Sequence, residues 1–227
     1  MTDNKSTPDP IDPAILEKLR QSQTPEGKAK AAGEMKEYRA ILGELVMAWN
    51  VTEDLMRFLI QLQLGFGNRK AMTLFAGLGG DALENAFRRL ANEHAKENIR
   101  EALIFSANFF SNLRVKRNYY IHGLVHFASE PGGEFIGAIH SVVMKNNVIT
   151  AHREFVKKEL LMNLIKDAES LRGYLGKILQ NMMPVRDASG GIQPSPDLKD
   201  RPQIPESLKK PSEALPLDGF RDMPPFR

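Results

Sequence analysis

The sequence predicts a mainly α-helical protein, an up-down helical bundle with a small β-hairpin or meander inserted before its last helix. Three observations carry that expectation. Apolar residues recur at helical spacing over much of 26–122 and again over about 153–182. No proline interrupts the stretch from Ile99 to His122, which is long enough to form a central helix. Between these helical stretches lie short β-prone runs, separated by the turn signals Pro131-Gly132-Gly133 and Asn146-Asn147.

The first element begins near Glu26 and carries Met35, Tyr38, Ile41, Leu42, Leu45, Val46 and Trp49 at helical spacing. Asn50 and Thr52 are both residue types that cap helices. Leu55, Met56, Leu59, Ile60 and Leu62 nevertheless continue the period, which predicts one bent helix rather than two collinear ones. Gly65, Gly67 and Asn68 then signal a turn, 71–78 has room for a short helix ended by Gly79-Gly80, and Asp81 stands where it would cap the next. That next helix carries Leu83, Phe87 and Leu90 on one stripe, with Glu84, Arg88 and Arg89 elsewhere, and is expected to end near Lys96. The central helix follows, with Ile99, Leu103, Phe105, Phe109, Phe110 and Leu113 as a broad apolar face. Beyond it, 124–127, 134–139 and 148–150 are the β-prone runs. The helical period returns from about Arg153 through Phe155, Leu160, Leu161, Leu164, Ile165, Leu171, Leu175 and Ile178 to Met182. This last long helix is expected to pack against the first.

These elements divide the chain into a flexible segment at 1–25, a helical domain at 26–184 with its β-prone insertion at about 125–152, and a tail at 185–227. Eight prolines follow Pro184, with few large apolar residues and no periodicity, so the tail is expected to be disordered: it cannot by itself offset the entropy of ordering. Its Pro194-Ser195-Pro196 and Pro224-Pro225 leave two readings open, a peptide ligand for a partner protein or a solvated linker.

Composition narrows the function classes. The chain has no cysteine, which excludes disulfides and thiolate metal sites and fits a reducing, cytoplasmic setting. The start, MTDNKSTPDPIDP, is polar and proline-studded where an export signal needs a basic start and an apolar run, and no stretch of about eighteen apolar residues occurs, so a soluble protein without a membrane partner is expected. A net charge of +3 demands no polyanionic partner by itself. Its distribution is uneven: from Ala102 to Gly123 there are three cations, Arg114, Lys116 and Arg117, and no acid, whereas Arg186 to Arg227 holds seven basic and seven acidic residues. The first segment is locally basic, and the tail is electrically neutral.

Several chemistries lack their motifs. There is no GxxxxGK[ST] phosphate loop, no HExxH and no GxSxG elbow, and Gly77-Leu78-Gly79-Gly80 has no preceding strand and reads as a turn. His94, His122, His126, His140 and His152 are not paired with carboxylates at metal-ligand spacing, and Gly123 ends the helix between His122 and His126, so no metal and no cofactor are expected.

What remains is a basic cluster closing an apolar helix, Leu113-Arg-Val-Lys-Arg-Asn-Tyr-Tyr-Ile-His-Gly123. Arg114, Asn118 and His122 are spaced four apart and form a polar stripe. Arg117 lies about 140° from His122 around the helix, but its long stem is able to reach round. A neutral imidazole can take a proton from a ribose 2′-hydroxyl, and once protonated can give one to a leaving oxygen, while arginine holds a phosphate through two hydrogen bonds. No metal is needed for that chemistry. Arg114 and Lys116 fit either a solvated face or phosphate contacts. Tyr119 and Tyr120 have faces that could stack on bases, with at least one of them expected in the core. Trp49 with Phe58, and Phe105, Phe109 and Phe110, read as core or as an interface between copies.

Arg117-Asn118-Tyr119-Tyr120-Ile121-His122 resembles the motif of the HEPN (higher eukaryotes and prokaryotes nucleotide-binding) family, in which an arginine, often followed by asparagine, precedes a histidine by four to six residues at the end of a long helix. The resemblance spans about 34–180, including Trp49-Asn50-Val51-Thr52-Glu53, and leaves both termini outside. It implies a HEPN-type bundle and a homodimer whose two motifs face each other, cleaving single-stranded RNA without metal to a 2′,3′-cyclic phosphate. A toxin or defence effector is the corresponding biological setting. Carried over, His122 is general base or acid, Arg117 the phosphate clamp and Asn118 a positioning group, with Glu53 a remote auxiliary residue; Arg114, Lys116 and Tyr120 are the candidate substrate contacts by residue type alone, beside the solvated-face and core readings given above. The β-prone insertion departs from the simplest bundles. The alternative class is a non-catalytic helical module that binds a nucleotide, RNA or a partner protein, with the stripe serving recognition only. The two separate on whether His122 is accessible and close to Arg117.

Overall fold

Thr24 sets where the first helix begins. Its side-chain oxygen accepts a hydrogen bond from the Gly27 amide at 3.1 Å, and Pro25 occupies the first helical position, where a missing N–H costs nothing. The computed structural model describes 23–65, 77–94, 96–122, 124–129, 135–145, 148–183, 191–209 and 215–216 with a few isolated positions, the strands up to 155 by backbone alone. Helix α1 (Pro25–Leu64) is one element of 40 residues, roughly 60 Å long. Asn50 and Thr52 do not break it. The Thr52 hydroxyl, fully buried, turns back to the Ala48 carbonyl at 2.9 Å inside the helix. The helix stops at Gly65, whose φ of 61° is left-handed and open to glycine without a Cβ clash.

Helix α2 (Gly80–Glu93) corrects the expected cap. Gly79 is the N-cap, and Asp81 lies inside the first turn with its carboxylate turned to an arginine of the next helix. The expected short helix over 71–78 falls largely outside the described residues. Helix α2 ends at Glu93 rather than near Lys96, and α3 (Glu97–His122) follows as the central helix. The backbone then runs through β1 (Leu124–Ser129), β2 (Phe135–Lys145) and β3 (Val148–Val156), each antiparallel to the one before, with Leu124 opposite His140 and Lys145 opposite Val148. Helix α4 (Lys158–Met182) starts five residues later than the sequence period suggests, because Arg153–Val156 pair with β2: Val156 stands opposite Gly137. Phe155 therefore belongs to a strand.

Helix α4 lies along α1, and α3 lies between α4 and α2. One core joins them: Leu45, Trp49, Met56, Leu59 and Ile60 of α1, Leu83 and Phe87 of α2, Leu103, Phe109, Phe110 and Leu113 of α3, and Leu164, Leu171, Leu175 and Ile178 of α4. Each such side chain contributes about 1.5–3 kcal/mol on burial. Two tyrosines tie other segments, the end of β3 and the tail, to this core. The Tyr38 hydroxyl donates to the Val156 carbonyl at 2.6 Å, and the Tyr174 hydroxyl to the Leu198 carbonyl at 2.7 Å. Among the described residues, no helix is long and apolar enough to cross a membrane.

The segment 191–209 departs from the disorder expected of the tail. It lies against α3 and α4 with Leu198 and Leu208 buried, and closes in a single helical turn, α5 (Glu206–Lys209). Two-residue β4 (Leu215–Pro216) pairs with β3. Residues 1–12 are outside the described part.

Candidate functional site

The last two turns of α3 carry the stripe. Arg117 reaches round the helix as its stem length allows: Nη1 donates to Asn118 Oδ1 at 2.9 Å and lies 3.4 Å from His122 Nε2. The guanidinium carbon stands 5.6 Å from the centroid of the Trp49 ring, and that ring is itself stacked on Phe110 at 4.5 Å and 22°. Arginine is weakly hydrated and planar, so an aromatic face is a favourable floor for it. Trp49 is buried in the core, Arg117 is half-buried, and His122 is exposed at the helix end. The result is a cation fixed from below by a ring and from the side by an amide, with an accessible imidazole beside it.

The chemistry follows from the donors. A guanidinium has only N–H donors, so its contact with Nε2 is a hydrogen bond only when that nitrogen offers its lone pair. The contact fits the tautomer in which Nε2 accepts from Arg117, and that lone pair becomes open to a substrate proton only when the guanidinium turns to an anion instead. Arg117 Nε is buried without a hydrogen-bond partner, leaving its donor capacity incompletely used.

The remaining predicted site residues are placed elsewhere. Arg114 is ion-paired with Asp81 at 2.5 Å and Glu84 at 3.4 Å, and Glu84 is also held by Arg88 at 2.9 Å. The Arg114 charge is neutralised by α2 in space, so Arg114 is neither a solvated face nor an open phosphate contact. Lys116, at 8% exposure, is buried, which removes it from both readings as well. Tyr120, at 3% exposure, is core, with the Tyr119 ring edge-on to it at 5.3 Å. A base has no access to its face. Glu53 spends its two oxygens on Arg57 at 2.8 Å and on the Gly80 amide at 3.3 Å, where it ties α1 to the start of α2. Three of the seven predicted residues, Arg117, Asn118 and His122, come together.

Trp49 is the member that sequence reasoning missed in this role. It was legible as core, but its expected companion Phe58 is 39% exposed, and its ring partner is Phe110, 61 positions away. Nothing in the local pattern pairs positions so far apart. Among the described residues there is no group of three or more His, Cys, Asp or Glu able to hold a metal ion. Compared with known proteins, the chain matches no family model, no curated protein and no solved structure.

Proposed function

We propose that this chain is a cytoplasmic, metal-independent endoribonuclease of HEPN type, with the β insertion between its motif and last helix, acting on single-stranded RNA as a homodimer in a toxin or defence role. The observation that carries the reading is the 3.4 Å approach of Arg117 Nη1 to His122 Nε2 at an exposed helix end. In the proposed reaction Arg117 Nη1 turns from His122 Nε2 to the phosphate, the freed Nε2 lone pair takes the proton of a ribose 2′-hydroxyl, and the 2′-oxygen attacks the adjacent phosphorus. The bond from phosphorus to the 5′-oxygen breaks, and the leaving oxygen takes its proton from the second imidazole of the dimeric site. The products are a 2′,3′-cyclic phosphate and a 5′-hydroxyl. Arg117 holds the non-bridging oxygens as charge builds, and Asn118 and Trp49 keep its guanidinium in place. Proton transfer by a positioned imidazole is worth about 10²–10⁴-fold in rate.

A second reading is favoured by one feature of the same site: Nη1 already donates to Asn118 and the guanidinium rests on Trp49. An arginine so engaged suits a non-catalytic module that uses the stripe to recognise a nucleotide, RNA or protein. Cleavage of labelled single-stranded RNA in EDTA, by wild type and by His122→Ala and Arg117→Ala, separates the two. The ribonuclease reading expects wild type to cut to a cyclic phosphate end and both folded variants to lose at least about 10²-fold. An inert wild type, or variants that cut equally well, leaves the binding module.

A further inference from the structure

Residues 191–208 are held in the manner of a bound peptide. The segment has no continuous helix or strand until Glu206, and prolines at 194, 196, 202 and 205 bias it toward an extended form that loses little entropy on docking. Three of its backbone carbonyls, those of Pro196, Leu198 and Asp200, are met by side chains from one face of α4. Tyr174 donates to the Leu198 carbonyl at 2.7 Å, and Asn181 Nδ2 to the Pro196 carbonyl at 3.0 Å. Between them in sequence, Lys177 binds the Asp200 carboxylate at 2.6 Å. Helix α3 supplies the opposite wall, where Glu101 accepts from Arg201 at 2.9 Å and Phe105 lies 5.6 Å beneath its guanidinium. Phe105 and Tyr174 meet edge to face at 5.3 Å, closing the floor between the two helices.

These contacts have a reading frame. Leu198, 5% exposed, is the apolar anchor at the centre, flanked by a carbonyl read by Asn181 on one side and by an acidic and a basic position read by Lys177 and Glu101 on the other. A buried anchor within a charged rim is the usual anatomy of peptide recognition. Phe105 precedes Arg117 by twelve residues on α3, about 18 Å along the axis, so this furrow is separate from the Arg117–His122 pair.

We propose that the α3–α4 furrow is a peptide-recognition site for an extended, proline-flanked peptide with leucine, aspartate and arginine spaced as in Leu198, Asp200 and Arg201, and that this chain's own tail is its displaceable resident. A peptide of that pattern presented by another protein competes with the tail for the furrow. The inference does not depend on the ribonuclease reading.

The test uses the full chain and a fluorescent synthetic peptide of residues 191–210. Wild type, with the tail in place, is expected to bind the peptide weakly. The variant Leu198→Asp/Arg201→Glu, which evicts the tail, is expected to bind it about tenfold more tightly or better, since a site blocked most of the time loses apparent affinity in proportion. A peptide carrying the same two substitutions is expected not to bind, and Lys177→Glu in the variant to abolish binding of the normal peptide. A folded variant that binds no better than wild type, or binds both peptides alike, overturns the proposal. Should the variant fail to fold, limited proteolysis of wild type decides: a displaceable tail is cut within 191–205 while α3 and α4 stay intact, whereas cleavage of all three at the same rate makes the tail an inseparable part of the core.

Discussion

Trp49 supports two things at once, the core through Phe110 and the motif through Arg117. Trp49→Ala is therefore predicted to cost about 3–5 kcal/mol in urea denaturation, the range for removing a buried aromatic side chain. Because it is the single tryptophan, its emission is a local probe. Arg117→Ala is expected to shift that emission while leaving the far-ultraviolet circular dichroism unchanged; an unaltered spectrum would contradict the stacking. Asp167 is a different kind of residue, a half-buried carboxyl on α4 whose burial pushes its pKa up from 3.8 to about 6. The fold favours its protonated form. Its stabilising contribution is present below the unfolded value of 3.8 and is lost as pH rises through about 6. Asp167→Asn keeps the neutral shape at every pH. Relative to wild type, it is expected to gain stability as pH is raised from about 4 to about 7, with denaturation midpoints at both ends as the check.

At the scale of elements, the junction of α1, α2 and α3 is held by ions and one unusual backbone. Gly80 opens α2 with φ 43° and gives its amide to Glu53, while Arg114 of α3 pairs with Asp81 and Glu84 just beyond. A Cβ at Gly80 would meet Arg114 Cδ at 3.6 Å, an ordinary contact, so the cost of Gly80→Ala is conformational. It is predicted at about 1–2 kcal/mol. Gly33 lies within α1 with nothing near a built Cβ, and Gly33→Ala is predicted to stabilise by about 0.8–1 kcal/mol, the difference in helix propensity. Thermal melts of the two variants should move in opposite directions. A Gly80→Ala variant that melts no lower than wild type would mean that the left-handed turn at Gly80 is absent in solution.

The whole molecule is longer than its helical period. Tyr174, on α4, sends its hydroxyl to Leu198, so the folded unit includes a segment whose own composition predicts disorder. Tyr174→Phe deletes that hydrogen bond and leaves the carbonyl unmet, at a predicted cost of about 1 kcal/mol. Limited proteolysis should then cut within 191–205 sooner than in wild type, while α4 stays resistant. Uniform resistance would show that Leu198 and Leu208 hold the segment without the hydroxyl.

Periodicity pointed to one long helix from near Glu26 through Leu62, to a central one from Ile99 to His122, and to a last helix lying on the first, because an apolar stripe must be buried against another and spacing is a local property. The spacing of Asn118 and His122, with the stem length of Arg117, determined that these three residues would be able to meet. Other outcomes were decided only by contacts distant along the chain. Pairing of 153–156 with β2 delayed the last helix, and the acids of α2 neutralised Arg114. Packing took Lys116 inside and chose Tyr120 as the tyrosine of the core, and the side chains of α4 and α3 gave the tail the partners its own sequence lacks. The reason is the same in each case: a residue's charge and period are written beside it, but its solvation depends on what the folded chain brings against it.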